Sequence, residues 1–169
     1  LGKPVLRRPT AIVVAPAGDR LFVANRRTGS VSVIDLVHKK VLAEHPIGVQ
    51  LSAMEQDTAG KMLYLTDDAA HELIIARIDH AEIKVLQRLP VPKYPVKVAI
   101  AKDGKSAFIA SLWSRQVARV QLTPDELGKA KVTEVLSLNF APRELLLLDD
   151  QQKLLIADNF GGKLAVCGL

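Results

Sequence analysis

Along the chain, apolar residues rich in Leu, Val, Ile and Ala come in short runs broken by Gly, Pro, Asp and Asn. That rhythm predicts short β-strands and turns. The stretch from Ala15 to Asp35 shows the unit: a tight turn at Pro16–Asp19, a strand at Leu21–Ala24, a polar loop at Asn25–Ser30 containing Gly29, and a second strand at Val31–Ile34. Ile12–Val14 adds a strand before it and Lys40–Ile47 one after it, so each unit carries four antiparallel strands.

The unit recurs. Gly60 in TAGKMLYLTD follows Gly18 by 42 residues, and Gly104 in AKDGKSAFIAS follows Gly60 by 44. A fourth copy begins 47 residues later with Gln151 in the place of the turn glycine. Pro9, Pro95 and Pro142 hold the position before the first strand, with Leu51 substituting in the second copy. Four strands at this period predict an all-β fold, a partial β-propeller of four-stranded antiparallel blades. The blades fall at about 9–50, 51–94, 95–141 and 142–169, the last incomplete. Helix is expected only as a single turn at Thr123–Lys129, where Pro124 and Asp125 resemble a helix start.

The tetrads Phe22-Val23-Ala24-Asn25, Tyr64-Leu65-Thr66-Asp67, Phe108-Ile109-Ala110-Ser111 and Leu155-Ile156-Ala157-Asp158 resemble the YVTN motif of the YVTN-type β-propeller repeat family. The flanking SVSVID and the turn before each tetrad match as well. The resemblance implies a ring of about seven four-stranded blades. It also implies a bacterial protein exported to the periplasm or beyond the cell, in some members joined to a c-type cytochrome domain. The chain then holds three blades and most of a fourth, a fragment of something longer. Its open flanks would be covered by the remaining blades of the full-length chain or by self-association with a second copy.

With 169 residues, 49% hydrophobic, the chain has enough apolar content to bury a core. Its formal charge of +5 is dispersed, with Arg7, Arg8, Arg26 and Arg27 the densest spots, and the basic residues are not interleaved with aromatics on one sheet, so no nucleic-acid partner is expected. Cys167 is the single cysteine, which rules out an intrachain disulfide, a CxxCH haem attachment and a cysteine zinc site within this sequence. No apolar run approaches the roughly 20 residues of a transmembrane helix, so no transmembrane segment is expected. No cofactor and no metal are expected in this chain.

Connections in an antiparallel meander alternate between the ends of each blade, so the loop between strands two and three shares a face with the link to the next blade. One face collects Arg26, Arg27, His71, Trp113, Arg115 and Phe160, and the links add Arg8, Tyr94, Phe140 and Arg143. Aromatic side chains beside arginines compose a binding surface; the same aromatics could instead cap the ends of blade interfaces. Glu55 is a carboxylate where the other copies have Val13, Ala99 and Leu146, on a strand expected to line the central channel. Either the channel is wet at that level or Glu55 binds something in it.

No GxSxG elbow, P-loop or zinc-helix signature is present. The expected function is a non-catalytic binding or scaffold module whose partner is a protein or the rest of the ring. The alternative is part of a propeller enzyme, either a lactone hydrolase or the platform of a redox protein linked to a c-type cytochrome.

Overall fold

The computed structural model describes residues 6–123, 129–148, 150 and 152–169. The helical turn expected at Thr123–Lys129 and the turn at Gln151 lie largely outside these residues. The strands are β1 (Pro9–Val14), β2 (Arg20–Asn25), β3 (Ser30–Asp35), β4 (Lys40–Pro46), β5 (Leu51–Gln56), β6 (Met62–Asp67), β7 (Glu72–Asp79), β8 (Glu82–Pro90), β9 (Pro95–Ile100), β10 (Ser106–Ser111), β11 (Gln116–Gln121), β12 (Lys131–Ser137), β13 (Pro142–Leu148), β14 (Lys153–Asp158) and β15 (Leu164–Gly168). They form three four-stranded sheets and one three-stranded sheet, each antiparallel and in sequence order. The fold is an all-β partial β-propeller.

The first strands, β1, β5, β9 and β13, pack successively against one another and form the inner wall. Alternation of side chains along each strand sends one set toward the preceding sheet and the other toward the next. Three cores result. Phe22, Val31 and Val33 meet Leu51, Leu63 and Ile74 between the first two sheets. Tyr64, Leu73 and Ile75 meet Val98, Ile109 and Val120 between the second and third. Phe108, Ala110 and Val117 meet Leu145, Leu154 and Ile156 between the third and fourth. On the two outer flanks Ile12, Val14, Leu146, Leu164 and Val166 are exposed.

Every first strand carries a bulge at its start. Register shifts between Pro9 and Ala11, between Leu51 and Ala53, opposite the step from Ala110 to Ser111, and between Pro142 and Glu144. The residues so displaced, Thr10, Ser52, Val96 and Arg143, occupy equivalent places in the four repeats, and a bulge re-aims its side chain. Two of them stitch neighbouring sheets: Thr10 Oγ1 lies 3.2 Å from Leu51 O, and Ser52 Oγ donates to Pro95 O at 2.6 Å.

The tetrad's last residue anchors the loop beside it. Asn25 Nδ2 donates to Ser30 Oγ and Ser32 Oγ, Ser111 Oγ donates to Pro92 O, and Asp158 accepts from the backbone N–H groups of Phe160 and Gly161. Asp67 does most: its carboxylate accepts from the N–H groups of Val49, Gln50, Ala69 and Ala70. A further staple repeats after each fourth strand, where Ile47 N–H, Val91 N–H and Leu138 N–H donate to the carbonyls of Gly29, His71 and Arg115. Those three acceptors are left-handed, with φ of 60°, 59° and 55°.

Candidate functional site at the channel mouth

The four bulged residues converge on one end of the inner wall, where a cavity of about 360 Å³ opens. Its floor includes Thr10, Ser52 and Val96, and Arg8, Arg26, Asp68, Tyr94, Trp113 and Arg143 stand around it. All four sheets, directly or through the links that precede them, contribute to this mouth.

Its charges are unevenly matched. Arg26 Nη2 pairs with Asp68 Oδ2 at 2.5 Å and also donates to Gln50 Oε1. Arg8 and Arg143 have no ion pair to any described residue, although the neighbouring Arg7 is bound to Glu44. Arg8 and Tyr94 both precede a proline, yet both adopt left-handed backbone, with φ of 56° and 61°. A residue before proline is normally extended, so the packing around the mouth holds these two in place at a cost of order 1 kcal/mol each.

The aromatic rim is built from pairs. Trp113 and Phe160, from the loops of the third and fourth sheets, lie 5.7 Å apart between centroids and are 63% and 67% exposed. Tyr94, 44% exposed, packs edge-on against His71 at 4.9 Å, and its backbone N–H donates to His71 Nδ1. Arg27 and Arg115 are exposed on the same face but do not line the cavity. Phe140 is a correction: at 8% exposure it packs with Phe108, Leu145 and Leu154 in the third core. Its link position suggested the rim, but the apolar space between two sheets takes the ring instead. No motif in the sequence marks Thr10, Ser52 and Val96 as site residues; only the repeat register, which aligns all three with Arg143, points to them.

Deeper in, Glu55 on β5 lines the half-channel with Lys97, Glu144 and Leu146. Lys97 Nζ is held by Glu144 Oε2 at 3.0 Å. Burial pushes the Glu55 carboxyl from its ordinary 4.5 to about 7, and the attraction of Lys97 and of the Ile100 N–H offsets only part of that rise. A carboxyl whose folded pKa is raised favours the folded state most below about 4.5, and that contribution is lost as pH climbs toward 7. Glu55→Gln is therefore expected to match the wild type in urea denaturation at pH 4 and to be more stable at pH 8 by about 2 kcal/mol. Equal stability at both pH values would show that the carboxyl is solvated.

No family model matches this chain, and no curated protein matches it. Solved structures do. The chain superposes on hydrazine synthase of Kuenenia stuttgartiensis with TM-score 0.85 and 20% identity, covering 99% of this chain and 47% of that one. The β-propeller domain of Cps50 (Swd1) from Myceliophthora thermophila gives 0.81 at 12% identity, covering 95% and 51%. A 6-phosphogluconolactonase candidate from Bacteroides uniformis gives 0.80 at 14%, covering 94% and 53%. The likeness is one of fold, and this chain spans about half the length of each of these solved chains. Among the described residues no helix is long and apolar enough to cross a membrane.

Proposed function

We propose that the chain is a section of a non-catalytic β-propeller binding or scaffold module, part of a larger exported protein, and that it binds through the mouth face. The observation carrying this reading is that four repeats send unlike residues, two arginines without an ion pair to any described residue among them, to one cavity rimmed by exposed aromatics. Aromatic and arginine side chains presented on loops at one end of the sheets are the residue types that dominate binding energetics. The exposed flanks Ile12, Val14, Leu146 and Leu164 fit against further blades of the same chain. Family resemblance supports a periplasmic or extracellular setting.

A photo-reactive amino acid placed at position 113 of the full-length protein, and separately at 105 on the opposite end, tests the reading. Capture is expected at 113 alone, and Trp113→Ala should weaken the captured partner roughly thirtyfold, a loss of about 2 kcal/mol. Lys105→Ala should leave affinity unchanged. Capture at 105 alone, or a lowered melting temperature with unaltered affinity for Trp113→Ala, would make the indole a packing residue and the reading wrong.

One observation favours the alternative. Burial in the channel wall raises the Glu55 carboxyl to about 7, the range suited to a general base, and hydrazine synthase and the lactonase candidate share the fold. Lactone hydrolysis by the full-length protein that disappears in Glu55→Gln would support an enzyme. The redox-platform version rests on family resemblance.

A further inference from the structure

We propose that the mouth cavity takes a small flat anion, an aromatic or conjugated molecule bearing two oxyanion groups, held through Arg8 and Arg143 and stacked against Trp113. This rests on the mouth face being the binding surface and names the chemistry of its ligand.

The charge pattern points to an anion. Three neighbouring cations have carboxylate partners: Arg7 has Glu44, Arg26 has Asp68 and Lys97 has Glu144. Arg8 and Arg143 are the two cavity-lining cations left without a carboxylate among the described residues. Each guanidinium offers five N–H donors in a planar fork that fits carboxylate or phosphate oxygens in pairs. Their placement is also imposed by the backbone. Arg143 occupies the bulge that carries Thr10, Ser52 or Val96 in the other repeats, and Arg8 sits in left-handed backbone before Pro9. The hydroxyls of Thr10 and Ser52 are engaged by backbone carbonyls, so in two repeats this position stitches sheets. Arg143 makes no such bond to any described residue, and the same position is thereby freed for a ligand.

The shape points to something flat and small. Trp113 is supported from one side by Phe160, and Tyr94 by His71, so the two rings lining the cavity are set before any ligand arrives. Such preorganisation reduces the ordering cost of binding. A volume of about 360 Å³ is at the small end of the range for small-molecule pockets, and it suits one or two fused rings better than an extended polypeptide.

Calorimetry on the full-length protein tests this with naphthalene-2,6-dicarboxylate, its neutral dicarboxamide, 1-naphthyl phosphate and hexaglutamate. The dicarboxylate is expected to bind about tenfold or more tightly than the dicarboxamide. Arg8→Gln and Arg143→Gln should each weaken the dicarboxylate about tenfold with unchanged melting temperature, while Lys40→Gln at the opposite end changes nothing. The ratio between dicarboxylate and naphthyl phosphate tells which oxyanion the site prefers. Equal binding of dicarboxylate and dicarboxamide, undiminished binding in the Arg8→Gln/Arg143→Gln double variant, or no binding of the dicarboxylate would overturn the proposal. So would tighter, arginine-dependent binding of hexaglutamate, which would replace the small molecule by an acidic peptide. Photo-capture at position 113 together with any of these failures leaves the binding face intact and removes only the ligand class.

Discussion

Gly29→Ala is expected to destabilise the chain by about 3 kcal/mol or more, against about 1 kcal/mol for Gly104→Ala or Gly18→Ala. All three glycines are left-handed, with φ of 60°, 67° and 72°, so conformational preference alone would rank them together. His71 and Arg115 show that the left-handed position after a tetrad loop tolerates a side chain, since they occupy Gly29's place in the next two repeats. Space separates the cases. A Cβ at Gly29 would lie 2.0 Å from the Gly48 carbonyl oxygen, whereas nothing lies within 4 Å of one at Gly18 or Gly104. The obstacle is backbone, and that backbone is fixed because Ile47 N–H and Gly48 N–H both donate to the Gly29 carbonyl. Relief requires the link between the first and second sheets to move, and with it the start of β5. Urea denaturation of the three variants decides the matter: a Gly29→Ala midpoint equal to that of Gly104→Ala would mean that the link yields freely.

Much of this architecture could be read from the chain because a propeller repeats its instructions. Apolar runs at a period of 42 to 47 residues specify strands and their order, and Glu55 stood out because three aligned copies carry apolar residues. Features that depend on departures from the repeat were less visible. The bulges displacing Thr10, Ser52, Val96 and Arg143 arise from register between strands, and none has its own sequence mark. Phe140 illustrates the complementary error: connection alternation assigns a residue to an end of the blade, but not to the core or the rim at that end. Pairing of Arg26 with Asp68, which leaves Arg8 and Arg143 as the cavity-lining cations without a carboxylate among the described residues, depends on side-chain reach across two repeats.

Asp67→Ala should be the most damaging single truncation at the mouth, costing about 4 kcal/mol. The side chain is fully buried, and each oxygen is used: Oδ1 accepts from Gln50, Ala69 and Ala70 N–H, and Oδ2 from Val49 N–H. Hydrogen bonds to an ionised acceptor contribute about 1.5 to 3 kcal/mol each, and their sum is not additive. Removing the acceptor strands four donors, two on the loop after β6 and two on the link that enters β5. Asp67→Asn should cost about half as much. Its one remaining oxygen can serve the three N–H groups at Oδ1, but the amide NH₂ then faces Val49 N–H, donor against donor. Asp158→Ala, the equivalent change in the fourth repeat, should cost far less, because its N–H partners on Phe160 and Gly161 are exposed and water can replace the carboxylate. The loss at Asp67 should also reach the cavity. Asp67 fixes Gln50, and Gln50 Oε1 helps to hold Arg26 against Asp68, so a loosened link frees Asp68 to neutralise another arginine at the mouth. Thermal denaturation of Asp67→Asn, followed by anion affinity measured well below its melting temperature, separates the two effects. Reduced stability with unaltered affinity would show that the link carries load for the fold and none for the mouth, and an Asp67→Ala cost no larger than that of Asp158→Ala would remove the staple argument altogether.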